Sequence, residues 1–161
     1  MTLTWKPEFV LNQPQVDATH REFVDLVACL DESQGELPPA ALVDRFKRLV
    51  EHTIEHFGQE DRWMAATGFT PDNCHARQHK MVLDVMHEVL KLAETEGHLE
   101  PLRRIVQELE QWFPQHADMM DAALVFHMSE VGFDPAHPEA FQPKVAEGVT
   151  SISSCGSSSC G

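Results

Sequence analysis

Positive charge is scarce in this chain. Twelve Lys and Arg face 26 Asp and Glu, giving a formal net charge of -14 over 161 residues. Nucleic acid and anionic membrane both demand a basic face, so neither is expected as a partner. Long apolar runs are missing as well. None approaches the roughly 20 residues needed to cross a bilayer, so no membrane insertion is expected. The opening stretch "MTLTWKPEFVLNQPQV" has no basic start followed by an apolar segment. It does not read as a signal peptide, and a cytoplasmic location is the expectation. Cysteine is sparse: Cys29, Cys74, Cys155 and Cys160, with no C-x-x-C pair. That is too few for a disulfide scaffold in a chain of this length.

Histidine is what the chain has in excess, with ten residues. It is the commonest protein metal ligand, so the spacing of these ten carries information. A hydrophobic fraction of 42% is ordinary for a globular protein, and the length suits one domain with a real core.

The apolar rhythm predicts four helices. The first spans about residues 16–31, with Phe23, Val27 and Leu30 on its stripe and His20 three residues ahead of Phe23. The second starts at Pro39 or Ala40 and reaches about Ala66. Its stripe runs Leu42, Phe46, Leu49, Thr53, His56 and Glu60. "TGFTPDN" separates it from the third helix, with Gly68 as a C-terminal cap and Pro71 in the next first turn. The third helix reaches about Thr95 on a stripe of His75, His79, Val82, Met86, Val89 and Ala93. The fourth spans about 100–128, with Leu102, Ile105, Leu109, Trp112, His116, Met119 and Ala123 on its stripe.

Short connections between four amphipathic helices predict an all-α, antiparallel up-down-up-down bundle with a short N-terminal arm. In that order His20, His75 and His79 lie early in their helices, and His56, Glu60 and His116 lie late in theirs. All therefore map to one end of the bundle. The bundle is expected over residues 1–130. The Pro-, Gly- and Ser-rich stretch over 131–161 reads as an extended segment and flexible tail, in which Cys155 and Cys160 carry no assigned role.

Residues four apart on a helix point the same way, about 40° apart around the axis. His56 with Glu60, and His75 with His79, can each offer two donors to one metal cluster. His116 and Asp121 are five apart, about 140° of rotation, and cannot share a face of a regular helix. A bend at Pro114, which cannot donate to the carbonyl of Glu110, would let Asp121 reach the cluster from the flank. The expected ligand set is His20, His56, Glu60, His75, His79, His116 and Asp121. Two metal ions sharing the carboxylates as bridges would use all seven. Imidazole with carboxylate suits iron, with zinc, manganese and copper as competitors.

The order H…H-x-x-x-E…H-x-x-x-H…H-x-x-x-x-D resembles hemerythrin, and bacteriohemerythrins in particular. "HF" at His56, Trp5 in "LTWKPEF", "VDATH" before His20 and Trp112 ahead of His116 support it. The resemblance covers about residues 4 to 128. It implies two iron ions per chain in an oxo- or hydroxo-bridged di-iron centre. One iron would take His75, His79 and His116. The other would take His20 and His56 and keep a position open for dioxygen. Glu60 and Asp121 would bridge. The implied activity is reversible dioxygen binding by a monomer, with no substrate turned over and any oxygen-consuming partner enzyme unidentified. Three departures stand out. Ala117 replaces a larger aliphatic residue, implying a wider pocket and faster autoxidation. Pro114 is unusual so near a ligand. His52 stands where an aromatic residue is common, as a donor behind the ligands or a decoy.

Other readings differ in class. An oxygen or redox sensor would use autoxidation of the same iron pair. A di-iron enzyme would act on peroxide or nitric oxide. The Glu-x-x-His pairs of ferritin-like oxidases occur nowhere in the chain, which counts against that enzyme class. His87, His98, His127 and His137 read as packed or surface residues. Phe23, Phe57, Met86, Trp112 and Met119 read first as core, Cys29 as a small buried filler, and Cys74 as a thiol near a helix N-terminus.

Overall fold

A computed structural model describes residues 2–144. Four long helices build it: α1 (Pro14–Ser33), α2 (Pro39–Ala66), α3 (Cys74–Glu96) and α4 (Glu100–His116). A single π-helical turn, Ala117–Asp121, joins α4 to α5 (Ala122–Val131). Each long helix packs on its chain neighbours, and α4 closes on α1. The result is the expected all-α four-helix bundle. Among the described residues, no helix is long and apolar enough to cross a membrane.

Local chemistry sets the helix ends. Pro14 and Pro39 occupy first-turn positions, where a missing N–H costs nothing. The Gln13 side chain accepts from the Val16 N–H, which starts α1 two residues before the apolar rhythm does. α3 starts at Cys74, and Pro71 lies in the preceding turn rather than in the helix. Asn73 decides this: its Oδ1 accepts the Ala76 N–H at 2.9 Å and satisfies a donor no intrahelical carbonyl can reach. Gly68, at φ +99°, ends α2 as expected.

The stripes of α1, α2 and α3 are buried along their predicted positions. On α4 the pattern holds to His116, with Trp112 half-buried against the core, and then slips by one residue. Met120 and Leu124 face inward, while Met119 is 52% exposed. Met119 is therefore not core. The cause is the π turn: the Ala122 N–H bonds to Ala117 five residues back, so one extra residue enters the helix without advancing its face. Cys29 is exposed too, lying off the Phe23–Val27–Leu30 stripe, where its Sγ accepts from Arg45.

Two apolar clusters result. The larger fills most of the bundle with Leu30, Leu42, Phe46, Leu49, Met86, Leu102 and their neighbours. Fully burying each such side chain contributes roughly 1.5–3 kcal/mol. The smaller holds Val16, Trp63, Met64, Phe69, Leu124, Met128 and Phe133. Beyond α5 the chain folds back, and the Phe133 ring meets Phe141 at 5.2 Å. Residues 145–161, with Cys155 and Cys160, lie outside the described residues. At the other terminus the arm lies along α4: the Leu3 N–H donates to Glu110, and Phe9 packs edge-on against Phe113.

Candidate metal centre

A polar layer interrupts the apolar interior. His20, His56, Glu60, His75, His79, His116 and Asp121 are all buried, none more than 5% exposed. The structure brings all seven predicted residues together. α1 supplies His20, α2 supplies His56 and Glu60, and α3 supplies His75 and His79. His116 ends α4, and Asp121 ends the π turn. That turn solves the spacing problem posed by His116 and Asp121. Five residues make a little over one turn in a π-helix, so both side chains arrive on one face. His116 Nε2 lies 3.2 Å from Asp121 Oδ1. The expected device, a flanking approach through a bend at Pro114, is replaced by the π turn.

The carboxylates divide their oxygens between two groups of imidazoles. Glu60 Oε2 lies 3.2 Å from His75 Nε2 and 3.3 Å from His79 Nε2. Asp121 Oδ1 lies 3.0 Å from His75 Nε2. On the other side, Glu60 Oε1 lies 2.9 Å from His56 Nε2 and 3.6 Å from His20 Nε2. Asp121 Oδ2 lies 3.1 Å from His20 Nε2. Glu60 Oε2 and Asp121 Oδ1 together thus face three imidazoles, and Glu60 Oε1 and Asp121 Oδ2 together face two.

These atoms fit metal ions better than they fit one another. Glu60 Oε2 and both Asp121 oxygens are buried without a well-formed hydrogen bond. The Nε2 atoms of His79 and His116 face each other at 3.2 Å, and at most one can be the donor in that pair. Buried carboxylates and ring nitrogens left in this state are costly, and a cation among them removes the cost. One ligand atom from each of Glu60, His75, His79, His116 and Asp121 falls within 4.8 Å of all the others. His20, His56 and Glu60 form a second such group.

The electrostatics follow the same geometry. Burial disfavours a charged His20, but the carboxylates of Asp121 and Glu60 close to its Nε2 outweigh it and push His20 up to about 10. Burial also opposes ionisation of Glu60, yet His56, His20 and His75 hold it well below the usual carboxylate range. Asp121 is opposed by burial and by the Glu60 charge, and His116 and His20 still hold it well below that range. Two ionised carboxylates and a protonated His20 therefore lie against one another in this layer.

Contacts behind the ring nitrogens differ between the two groups. His79 Nδ1 donates to Asp61 Oδ1 at 2.8 Å, and His116 Nδ1 donates to Gln78 Oε1 at 2.8 Å. Phe57 stacks on the His79 ring at 4.0 Å, and Trp112 on the His116 ring at 4.2 Å. His20 and His56 have buried Nδ1 atoms with no such partner. Phe113 meets the His20 ring edge-on at 5.2 Å, and Phe23 meets His56 at 6.1 Å. Asp61 and Gln78 were not singled out from the sequence. Their only signal is adjacency, since each sits beside a predicted ligand on the flank that an Nδ1 atom faces.

The remaining histidines stand apart from the cluster. His52 is half-buried, with its ring 6.0 Å from His56, and its Nε2 pairs outward with Glu22 at 3.3 Å. Burial and the neighbouring His56 lower its pKa. His127 Nε2 donates to the Thr67 carbonyl at 2.9 Å, near the end of α2. His87, His98 and His137 are exposed. Ala117 is buried and lines an open groove of about 1120 Å³ between the N-terminal arm and α4.

Comparison with known proteins agrees with this arrangement. The hemerythrin HHE cation binding domain matches residues 13–125. A bacteriohemerythrin of Ralstonia nicotianae is 35% identical over 133 residues, covering 82% of this chain and 93% of that protein. A bacteriohemerythrin of Stenotrophomonas maltophilia is 24% identical over 115 residues, covering 71% and 73% respectively. One of Pseudomonas paraeruginosa is 24% identical over 81 residues, covering 50% and 53%. No solved structure matches significantly. The domain match and the buried His/Glu/Asp cluster together support non-haem iron binding.

Proposed function

The chain belongs to the hemerythrin family, and on that premise we propose that its seven buried donors hold two iron ions that bind dioxygen reversibly. One observation carries this reading: each carboxylate presents separate oxygens to the three-imidazole and two-imidazole groups. His75, His79, His116, Glu60 Oε2 and Asp121 Oδ1 supply five donors to one position. His20, His56, Glu60 Oε1 and Asp121 Oδ2 supply four to the other. The position with fewer protein donors is the one with room for an exogenous ligand.

When bound, an iron pair supplies the two electrons by which dioxygen is held and released. The chain does the rest. Glu60 and Asp121 balance the cationic charge from inside a dry layer, where their attraction is least screened. The five imidazoles orient their Nε2 lone pairs inward. Phe23 and Phe113 line the two-imidazole side with apolar surface, which excludes water and slows the protonation that would end reversible binding. The binding unit is the bundle of residues 1–130, which the tail of 131–161 follows. It is a monomeric, cytoplasmic carrier or store rather than an enzyme.

The test is iron analysis followed by an oxygen titration. Reduce the iron-loaded chain anaerobically, admit air, then sweep with argon. About two irons per chain and a visible band that comes and goes with oxygen are expected. Prompt, irreversible oxidation without that band would instead favour a redox sensor or a di-iron enzyme.

A further inference from the structure

We propose that Asp61 and Gln78 are positioning residues that make the His75–His79–His116 position the tighter of the two metal positions and the first to fill. This rests on the reading that the seven donors hold two metal ions.

An imidazole binds a metal through one nitrogen only when that nitrogen is unprotonated and the ring is correctly turned. A fixed acceptor on the other nitrogen sets both conditions. Asp61 does this for His79 and Gln78 does it for His116, each at 2.8 Å. Ring rotation is blocked as well. Phe57 lies nearly parallel to His79, at 8°, and Trp112 lies at 24° to His116. Two rings are thus held by a hydrogen bond at the back and an aromatic face at the side. His20 and His56 have no partner on Nδ1, and their contacts with Phe113, Phe23 and Phe57 are edge-on or tilted rather than stacked. Ordering those two rings on metal binding costs side-chain freedom that the first group has already given up. The acceptors also differ in kind. Asp61 is a carboxylate and makes His79 the more basic donor, whereas the Gln78 amide is neutral and mainly orients His116.

The experiment is a cobalt(II) titration of the metal-free full chain, followed by visible absorption against a competing chelator. The wild-type chain is expected to take two equivalents in two resolved steps. Asp61→Ala and Gln78→Ala are each expected to weaken the first step by about 10–100-fold and to leave the second in place. Asp61→Asn keeps an oxygen acceptor and is expected to recover most of the first-step affinity. A purely structural role for Asp61 would weaken both steps together and would not distinguish Asn from Ala, and that result overturns the proposal. An unchanged first step in both alanine variants overturns it as well. Uptake of fewer than two equivalents by the wild-type chain defeats the two-metal reading itself, and the proposal with it.

Discussion

The two sides of the metal layer are built from the same residue types and differ in what backs and stacks their rings. On one side, His79 and His116 are backed by Asp61 and Gln78 and stacked by Phe57 and Trp112. On the other, His20 and His56 have unpartnered Nδ1 atoms and apolar rings around them. Ligand identity alone therefore does not fix what a metal position does. A braced position suits an ion that stays coordinatively full. A position with fewer donors and a dry wall suits one that must accept and release a small molecule.

The change that should break both sides at once is Glu60→Ala. Glu60 offers an oxygen to each group, so its loss should remove more than half of the bound iron. Circular dichroism should show the helices little changed, because the bundle core lies elsewhere. Full iron retention would remove Glu60 from the ligand set. Phe113→Ala should strike one side only. The ring is 1% exposed and touches His20 and Phe23, so its loss should cost about 3–5 kcal/mol in thermal unfolding. It should also speed autoxidation by admitting water to the two-imidazole side. Unfolding at a lower temperature with no change in autoxidation would show that Phe113 does not guard the open position.

A gentler change probes the residue the two sides share from below. Deleting exposed Met119 should turn the π turn into ordinary α-helix and keep Asp121 in register with His116. Iron content should stay near wild type. Inserting one alanine after Met119 should rotate Asp121 by about 100° and lose iron. The reverse pattern would refute the role given to the π turn. The smallest effect is a proton count. His20, pushed up to about 10, carries a proton in the metal-free chain at neutral pH and must lose it to bind iron. Iron(II) loading should therefore release a proton, an amount that falls as pH rises through about 10. An unbuffered pH-stat titration should show less release for His20→Gln, and equal release would contradict the assignment.

Much of this was legible in the sequence, for a definite reason. The donors of α1, α2 and α3 sit on stripes that are otherwise apolar, and a regular helix carries that phase forward without error. Antiparallel order then places His20, His56 and His75 at one end. Past His116 the five-residue step to Asp121 announces an irregularity in α4, but the sequence does not say whether a bend at Pro114 or a π turn supplies it. An inward Met120 and an outward Met119 are chemically indistinguishable in a sequence. The start of α3 was misplaced because Pro71 is a general signal, while the Asn73 cap is specific to its neighbours. Asp61 and Gln78 were missed because Nδ1 partners lie off the stripe, on flanks that only helix packing brings together. Cys29 was misplaced by residue type, although its position off the stripe already argued for the surface.

The most direct test of the central claim is anomalous diffraction at the iron edge from crystals of the iron-loaded chain. Two peaks within the buried layer are predicted, one bounded by His75, His79 and His116 and the other by His20 and His56. Glu60 and Asp121 should each contact both. A single peak, or two peaks without shared carboxylates, would contradict it.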